Sequence, residues 1–375
     1  MKKITGVPLL DINNPIIGKI TYKPIKHSLR QDFVFVANGE KLESGYAAIL
    51  VIKRHHDLKG TTILCNPEDI KYLNTGDVVS IEPNGNINVL YKKNSVGNVL
   101  LVTERCNCSC IMCPQSLVTK EDDKSPFIFK IISLIDNNTQ LLGITGGEPT
   151  LIGDKLIDII TACKQRLPKT KLIMLTNGIK LENFDYVKKI VMVQHPDLTI
   201  DIPLYADTDT EHNNIIRANG FYKTIQGLYN LARFKQKIGI RIVIHKLNYK
   251  RLPQLAEFIY HNFPFVFHVA FMQMETMEIA KKNIDILWID PYDYNEQLEK
   301  AVTYLWKRGM NVSIYNAQLC VLPKNLWRYS RKSISSWKNI YLEECGKCDY
   351  LENCGGFFAS SLELHSQHIK IIKKN

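Results

Sequence analysis

Short runs of β-branched and aromatic residues, separated by polar residues, fill the first part of the chain. The clearest of these runs are DFVFVANG, YAAILVIKR, TTILC and DVVSIEP. Their length and composition are typical of β-strands. The segment EPNGNINVLY places Asn84 and Gly85 between two strand candidates, which predicts a β-hairpin. We therefore predict a small β-rich domain over residues 1–95, with the polar segment YKKNSVGN as a linker at its end.

After this linker, apolar runs of strand length alternate with longer segments that have a helical period. The strand candidates are NVLLVT, LLGITGG, KLIMLTNG, LTIDIPLY, GIRIVIHKLN and FVFHVAFMQME. Helical segments such as GDKLIDIITACKQRL and GFYKTIQGLYNLARFKQ lie between them. This order is typical of parallel βαβ units. It predicts the α/β class, as an open sheet or a barrel, with functional residues in the loops that follow the strands.

The alternation ends in the last part of the chain, which we treat as a separate region over residues 286–375. A helical segment, YNEQLEKAVTYLWKRG, is followed by MNVSIYNAQLC. The stretch after that is irregular and contains CGKCDYLENCGGFF. This region therefore departs from the βα pattern and is rich in cysteine.

Composition is that of an ordinary globular protein, because 45% of the 375 residues are hydrophobic and can form a sizeable core. Asp11 and Asn13 interrupt the amino-terminal apolar run, and no later segment reaches the length of a membrane span. We therefore expect a cytoplasmic protein without a membrane partner. In a reducing cytosol, close spacing among the ten cysteines favours metal binding over disulfides.

The formal net charge of +11 is compatible with an anionic partner such as nucleic acid. The lysines are scattered, however, and do not form a block of five or six like charges. This distribution favours a solvated basic surface, so nucleic acid is not the favoured partner.

Two histidine segments are weaker candidates for function. His55 and His56 end a predicted strand, and we expect an exposed edge there instead of a pair of metal ligands. His245 and Asn248 follow the GIRIVI strand, where they either line a pocket or form a structural turn.

The segment CNCSCIMCPQ follows the first strand of the α/β region and contains four cysteines. Cys106, Cys110 and Cys113 have CxxxCxxC spacing, which lets one short loop hold one face of an iron–sulfur cube. Three thiolates leave the fourth iron of a 4Fe-4S cluster open. By analogy with catalytic metal sites, an open position can receive a substrate.

A zinc site is the alternative for this loop, with a fourth ligand from Cys108, Cys65 or Cys163. Cys163 lies on an apolar helical stripe, and Cys65 closes an apolar strand. Both positions are more typical of a buried small hydrophobic residue than of a ligand.

The segment GITGGEPT follows the next strand. Gly146 and Gly147 allow the backbone to approach a ligand closely, and Glu148 can accept hydrogen bonds from an ammonium group. A strand-to-helix turn also carries glycines for steric reasons alone, so this segment is weak support by itself.

Together, CxxxCxxC after the first strand and GGEP after the second resemble the radical S-adenosylmethionine (SAM) superfamily. The motif LTNG and the segment EHNNIIRANGFYKTIQGL extend the resemblance along the α/β region. With this resemblance, we predict a partial (β/α)6 TIM-like barrel over residues 96–285.

The resemblance also implies the cofactors. Cys106, Cys110 and Cys113 would hold a 4Fe-4S cluster whose open iron chelates the amine and carboxylate of SAM. Met112 departs from the aromatic residue common before the last cluster cysteine, and Cys108 falls between ligand positions as a free thiol. The further SAM contacts implied are Gly146, Gly147, Glu148 and Pro149 at the amine, Arg217 at the carboxylate, Asn177, and Met112 at the adenine.

A second cysteine set lies in the carboxyl-terminal region and comprises Cys320, Cys345, Cys348 and Cys354. Four thiolates form a closed site, and their spacing fits a 4Fe-4S cluster or structural zinc equally well. The position after the barrel resembles the SPASM or twitch extension of radical SAM peptide maturases, which implies one auxiliary 4Fe-4S cluster. A further cysteine usual in that extension is replaced by Phe358.

Three segments, YNAQLCVLPKNLW, SISSWKNIYLEEC and CGGFFASSLELHS, resemble the HxsC family of maturases of the His-Xaa-Ser peptide system. The resemblance implies an enzyme that cleaves SAM reductively to a 5′-deoxyadenosyl radical and oxidatively modifies a ribosomally synthesised peptide with His-Xaa-Ser repeats. It implies a one-electron reductant such as flavodoxin or ferredoxin, and allows a partner maturase. Radical SAM modification of RNA or a nucleotide is one alternative, and a zinc-binding peptide adaptor is another.

Overall fold

The fold is described by a computed structural model. It covers residues 4–37, 42–53, 60–116, 118, 123–333 and 338–374, so His55 and His56 lie outside the described residues. The chain divides into two compact units. One comprises Met1–Leu100, Asp123–Gly143 and Asp158–Thr170, and the other comprises Leu101–Asp122, Ile144–Ile157 and Lys171–Asn375.

Seven strands of the first unit form a closed barrel in the order β1-β5-β4-β3-β2-β6-β7, and β7 pairs with β1. The strands are β1 (Ile4–Pro8), β2 (Ile16–Thr21), β3 (Phe33–Ala37), β4 (Ala48–Val51), β5 (Thr62–Cys65), β6 (Val78–Ile81) and β7 (Asn86–Tyr91). The predicted hairpin at Asn84 and Gly85 is confirmed, since β6 and β7 on either side of it pair antiparallel. Cys65 is buried in the barrel core, as its apolar strand predicted.

A second sheet has eight strands in the order β15-β14-β13-β12-β11-β10-β9-β8. They are β8 (Asn98–Leu101), β9 (Leu141–Thr145), β10 (Lys171–Leu175), β11 (Leu198–Pro203), β12 (Lys237–Ile244), β13 (His268–Gln273), β14 (Val312–Tyr315) and β15 (Ser330–Arg331). Neighbouring strands from β10 to β15 are parallel, which confirms the α/β class. The sheet also takes in β14 and β15 from beyond residue 285, and closure as a TIM-like barrel stays a prediction.

Helices connect many of these strands, as the alternating pattern indicated. The helices of the described residues are α1 (Pro67–Ile70), α2 (Ser125–Leu134), α3 (Asp154–Arg166), α4 (Phe184–Met192), α5 (Asp209–Ile216), α6 (Phe221–Arg233), α7 (Leu252–Asn262), α8 (Glu278–Lys282), α9 (Ile284–Leu287) and α10 (Asn295–Lys307). In α10, the buried residues Leu298, Ala301, Val302 and Leu305 recur with the helical period and form its apolar side. Within the described part of the chain, no helix is long and apolar enough to cross a membrane.

The second sheet has two chemically different faces, because successive side chains of a strand point to opposite sides. On one face, Ile200, Ile240 and Phe271 are fully buried, and helices α6 and α10 contact strands β12 and β14. On the other face, alternate residues such as Asp201 and Arg241 are only half-buried. The apolar face therefore forms the core, whereas the second face carries polar groups.

Candidate functional site

The loop with the first three predicted ligands begins after β8 and is held by backbone hydrogen bonds. The amides of Ser109 and Ile111 donate to the last two carbonyls of α5, at 3.1 and 3.0 Å. The carbonyl of Cys113 accepts a hydrogen bond from an amide of α8 at 3.1 Å. Two helices therefore hold the backbone of this loop.

The thiols of this loop lie close to one another. Cys106, Cys110 and Cys113 are half-buried, whereas Cys108 is 3% exposed. Contact with Cys108, together with burial, raises the pKa of Cys106. Contact with Cys106 lowers the pKa of Cys108, but contact with Cys110 and burial raise it to about 12. These thiols must therefore release protons when they bind a metal, and their soft sulfur donors fit an iron–sulfur cluster.

The GGE turn after β9 packs directly against the segment that leads into this loop. The amide of Gly147 donates to the Thr103 carbonyl at 2.9 Å, and the amide of Glu148 donates to the Arg105 carbonyl at 2.7 Å. A Cβ atom at Gly146 would lie 2.4 Å from the Thr103 oxygen, and one at Gly147 would lie 2.2 Å from the Arg105 oxygen. Both glycines are therefore required by the close approach of two chain segments.

Glu148 is a fully buried carboxylate with four internal hydrogen bonds. Its Oε1 accepts from the Thr150 amide at 3.0 Å and from the hydroxyls of Thr150 and Thr176, each at 2.6 Å. Its Oε2 accepts from the Asn177 amide at 2.6 Å. Burial raises the pKa of Glu148, and these four bonds oppose that rise. Glu148 thus joins the turn after β9 to the end of β10, and its contact with a SAM amine stays a prediction.

The other predicted SAM contacts have different surroundings. Asn177 Nδ2 donates to Asn107 Oδ1 at 2.6 Å and to the Cys108 sulfur at 3.4 Å, so it touches the cysteine loop. Met112 is 4% exposed and lies in an apolar cluster, and Pro149 is also buried. Arg217 is exposed at the end of α5 with a positive φ of 53°, and it has no ion pair among the described residues. The structure thus places Asn177 at the cysteine loop and leaves Arg217 open to solvent.

Tyr205 and His212 lie beside the cysteine loop, although the sequence did not single them out. Their rings stack with centroids 5.8 Å apart, and the Tyr205 amide donates to His212 Nδ1 at 3.3 Å. Tyr205, like Cys106 and Cys110, packs against a buried cluster of Cys108, Ile179 and Ile216. Burial lowers the pKa of His212 to about 4, so its ring is neutral and able to accept. The signal in the sequence was the position of Tyr205, directly after the strand of LTIDIPLY.

His245 and Asn248 form a structural turn, one of the two alternatives that the sequence left open. Asn248 Oδ1 accepts from the His245 amide at 3.0 Å. Asn248 Nδ2 donates to the carbonyls of Tyr205 and Val243, at 3.2 and 2.9 Å. His245 is fully buried, and burial lowers its pKa to about 4. This turn therefore supports Tyr205 from below the cysteine loop.

The four cysteines of the second set line one cavity. Its four thiols, from Cys320, Cys345, Cys348 and Cys354, are joined by apolar side chains such as Phe357. Burial raises the pKa of Cys320 and of Cys345, and proximity to Cys354 adds to both shifts. Sulfur donors are the ligand type of both a 4Fe-4S cluster and zinc. Among the described residues, no three His, Cys, Asp or Glu side chains are grouped closely enough to hold one metal ion.

Residues 369–372 form one wall of this cavity. The Asp349 amide donates to the Ile372 carbonyl at 3.0 Å, and the Lys374 amide donates to Asp349 Oδ2 at 2.8 Å. A backbone hydrogen bond from Lys370 lowers the pKa of Cys320 and opposes the effect of burial. The last residues described therefore cover the second cysteine set and contact one of its thiols.

A second cavity lies at the ends of β12 and β13. Gln273 and Gln318 exchange hydrogen bonds of 3.3 Å between their side-chain amides. Gln318 and Phe357 line both cavities, so the second cavity adjoins the four-thiol cavity. Its other polar lining residues include Thr276, Tyr294, His365 and Ser366.

Comparison with known families adds an independent finding. Residues 100–259 match the family model described as the Radical SAM superfamily. This range includes the three-cysteine loop, the GGE turn, Asn177 and Arg217, and it ends before the second cysteine set. The match supports the radical SAM superfamily for this region and indicates an enzyme.

Individual proteins similar to this chain include one curated relative and one solved structure. The uncharacterised protein MJ0907 of Methanocaldococcus jannaschii is 26% identical over 256 residues, which cover 65% of this chain and 83% of that protein. The solved structure of Streptococcus suis SuiB bound to SAM is 19% identical, with a TM-score of 0.46 over 60% of this chain and 48% of SuiB. The chain therefore spans about half the length of SuiB.

Proposed function

We propose that this chain is a radical SAM enzyme that cleaves SAM reductively and oxidatively modifies a ribosomally synthesised peptide with His-Xaa-Ser repeats. The observation that carries the proposal is the presence of two different thiol sets within one compact unit. Three cysteines lie in a loop after β8 that is matched to the radical SAM family, and four line one cavity. Three donors leave a cluster position for SAM, whereas four donors complete a cluster.

The residues around the three-cysteine loop keep its thiols in place. When bound, the cluster and SAM supply a 5′-deoxyadenosyl radical, which abstracts hydrogen from an unactivated carbon. Glu148 and Asn177 hold the ends of β9 and β10 against the loop through buried hydrogen bonds. Tyr205 stacks on His212 and packs against the apolar cluster on which Cys106 and Cys110 also pack.

The second cavity, at the ends of β12 and β13, is the position we assign to the peptide. It opens at the carboxyl ends of parallel strands, where α/β folds bind substrates. Its polar side chains, including Gln273 and Gln318, can bind a peptide backbone through hydrogen bonds. An oxidised product requires an electron acceptor near the substrate, and the four-thiol cavity shares two lining residues with this one.

Anaerobic reconstitution tests this function. The protein, reconstituted with iron and sulfide, is incubated with SAM, dithionite and the peptides encoded beside its gene, with flavodoxin or ferredoxin as a second reductant. We expect 5′-deoxyadenosine to form and the mass of one peptide to fall by the hydrogens lost. Formation of 5′-deoxyadenosine with every peptide unchanged would reject these substrates. Purification with zinc and without acid-labile sulfide would reject the enzyme and support the peptide adaptor.

A further inference from the structure

The half-buried face of the second sheet carries a group of charged and polar side chains that the proposed reaction does not use. We define it as the polar face, with the members Lys171, Asp201, Arg241, His268, Tyr315 and Arg331. The strand register puts them on one side: Asp201 lies opposite Gly239, which lies opposite His268 in the next strand. Arg241 is two residues beyond Gly239, and therefore points to the same side.

Arg241 has no acidic partner within ion-pair distance among the described residues. Its Nε and Nη2 atoms lie 3.4 and 3.2 Å from the sulfur of Met272, which is a weak acceptor. The residues opposite it in the neighbouring strands are Pro203 and Ala270, whose small side chains offer it no acceptor. A half-buried guanidinium group with only a thioether for a partner has unused donor capacity.

The charges around Arg241 make the polar face positive. Lys171, Arg331 and Arg241 all act on His268, and with burial as the largest cause they lower its pKa to about 4. Asp201 is the acidic member, and burial raises its pKa while Arg241 and Lys171 lower it. Three cations therefore share the face with one carboxylate and a neutral histidine.

We propose that the polar face binds a carboxylate of the substrate peptide, from an aspartate or glutamate side chain or from a carboxyl terminus, with Arg241 as the principal donor. This inference rests on the proposed function and adds a specificity-determining contact to it. Val243, two residues beyond Arg241 on the same face, packs against an apolar cluster that includes Ile111 and Met112 of the cysteine loop. A carboxylate held by Arg241 would therefore anchor the peptide on the side of the sheet that faces the radical source.

The position of Asp201 argues for a single negative charge in the ligand. A Cβ atom at Gly239 would lie 2.1 Å from Asp201 Oδ1, so the carboxylate of Asp201 lies across β12 on the same face as Arg241. A phosphate group with two negative charges would be repelled more strongly by Asp201 than a carboxylate would. Asp201 also limits the excess positive charge of the face. A carboxylate that accepts from Arg241 fits this balance.

The test measures binding to the reconstituted holoenzyme with saturating SAM, so that the carboxylate of SAM cannot be the group detected. The probes are two fluorescein-labelled peptides, one of alternating glycine and glutamate and one of alternating glycine and glutamine. Their binding is measured by fluorescence anisotropy at about 0.15 M salt. We expect wild type to bind the glutamate peptide about tenfold more tightly than the glutamine peptide. Arg241→Gln should reduce this preference to less than about twofold, and Arg241→Lys should keep part of it.

Arg233→Gln is the matched control, because it removes the same charge from an exposed side chain. Arg233 lies at the end of α6 and stacks on Phe184. Circular dichroism of each variant checks that it folds, and Lys171→Gln provides a second variant of the face. Equal binding of both peptides by wild type would overturn the inference, as would an equal loss in Arg233→Gln. In a competition experiment, unlabelled glutamate peptide and tripolyphosphate each displace the labelled glutamate peptide. The inference would also be overturned if tripolyphosphate displaced it at a lower concentration than the unlabelled peptide did. Formation of 5′-deoxyadenosine is measured on the same wild-type sample, so the proposed function and this inference can fail separately.

Discussion

The two cysteine sets are built from the same donor but have opposite surroundings. The three-cysteine loop shares backbone hydrogen bonds with two helices, and the Asn177 side chain donates a hydrogen bond to one of its sulfurs. The four-cysteine set lies in a cavity whose other walls are mostly apolar, and residues 369–372 cover it. A set of only three thiols suits a cluster that must also bind SAM. A complete set behind an apolar wall suits a cluster that exchanges electrons or stabilises the fold.

Removal of a thiol should separate the two sets most strongly. We expect Cys110→Ala to lower the rate of 5′-deoxyadenosine formation by more than about a hundredfold, because even a residue that only supports a metal ligand contributes roughly 10–100-fold. Cys106→Ala and Cys113→Ala should do the same. Cys345→Ala should keep most of this rate while the peptide product is lost.

Cys108→Ala is the matched control for these variants, since Cys108 lies in the same loop. We expect it to keep SAM cleavage within about tenfold, although its sulfur contacts Asn177 and two other cysteines. A loss as large as that of Cys110→Ala would make Cys108 a ligand and would restore the zinc alternative for the loop.

The first set should also depend on the buried carboxylate of Glu148. Glu148→Gln places an amide where the carboxylate accepts from the Asn177 amide, and two donors then face each other. We expect the free energy of unfolding of the metal-free protein to fall by about 2–3 kcal/mol in urea titrations. Glu182→Gln, which removes an exposed ion pair with Lys223, should cost less than about 1 kcal/mol. An equal loss of unfolding free energy in the two variants would show that the buried hydrogen bonds of Glu148 stabilise the fold no more than an exposed ion pair does.

The second set should depend on the segment that covers it. A chain that ends at His368 loses one wall of the four-thiol cavity and the backbone hydrogen bond from Lys370 to Cys320. We expect the second site to lose iron to a chelator about tenfold faster, because the loss of a group that supports a metal ligand typically weakens the site by about this factor. The first site should not change. Iron loss is measured by chelator absorbance, from the first site in a Cys345→Ala background and from the second site in a Cys110→Ala background. Equal iron loss from the two sites would contradict this assignment of residues 369–372.

Local patterns in the sequence predicted the features that depend on neighbouring residues. The hairpin at Asn84 and Gly85, the parallel strand order and the two cysteine sets all depend on short spacings. The roles of Gly146 and Gly147 were harder to predict. Glycine is required both where the backbone approaches a ligand closely and where it approaches another chain segment closely. The structure shows a close approach to the segment that contains Thr103.

Contacts between distant segments could not be read from the sequence. The bond from Thr176 to Glu148 joins residues 28 positions apart, and the direction of the carboxylate follows from the turn it occupies. The wall formed by residues 369–372 depends on how an irregular region folds back over Cys320. The polar face did have a signal, since Lys171, Asp201 and Arg241 alternate with buried residues in their strands. That signal has meaning only once the strand register is known.

Iron, acid-labile sulfide and the electron paramagnetic resonance spectrum of reduced Cys345→Ala protein test the central claim most directly. This variant isolates the three-cysteine site. We expect about four irons and about four sulfides per chain, half of the wild-type content, and a spectrum that changes when SAM is added. The same spectrum recorded from Cys110→Ala should not respond to SAM. A Cys345→Ala protein that contains zinc without sulfide, or whose spectrum ignores SAM, would contradict the account.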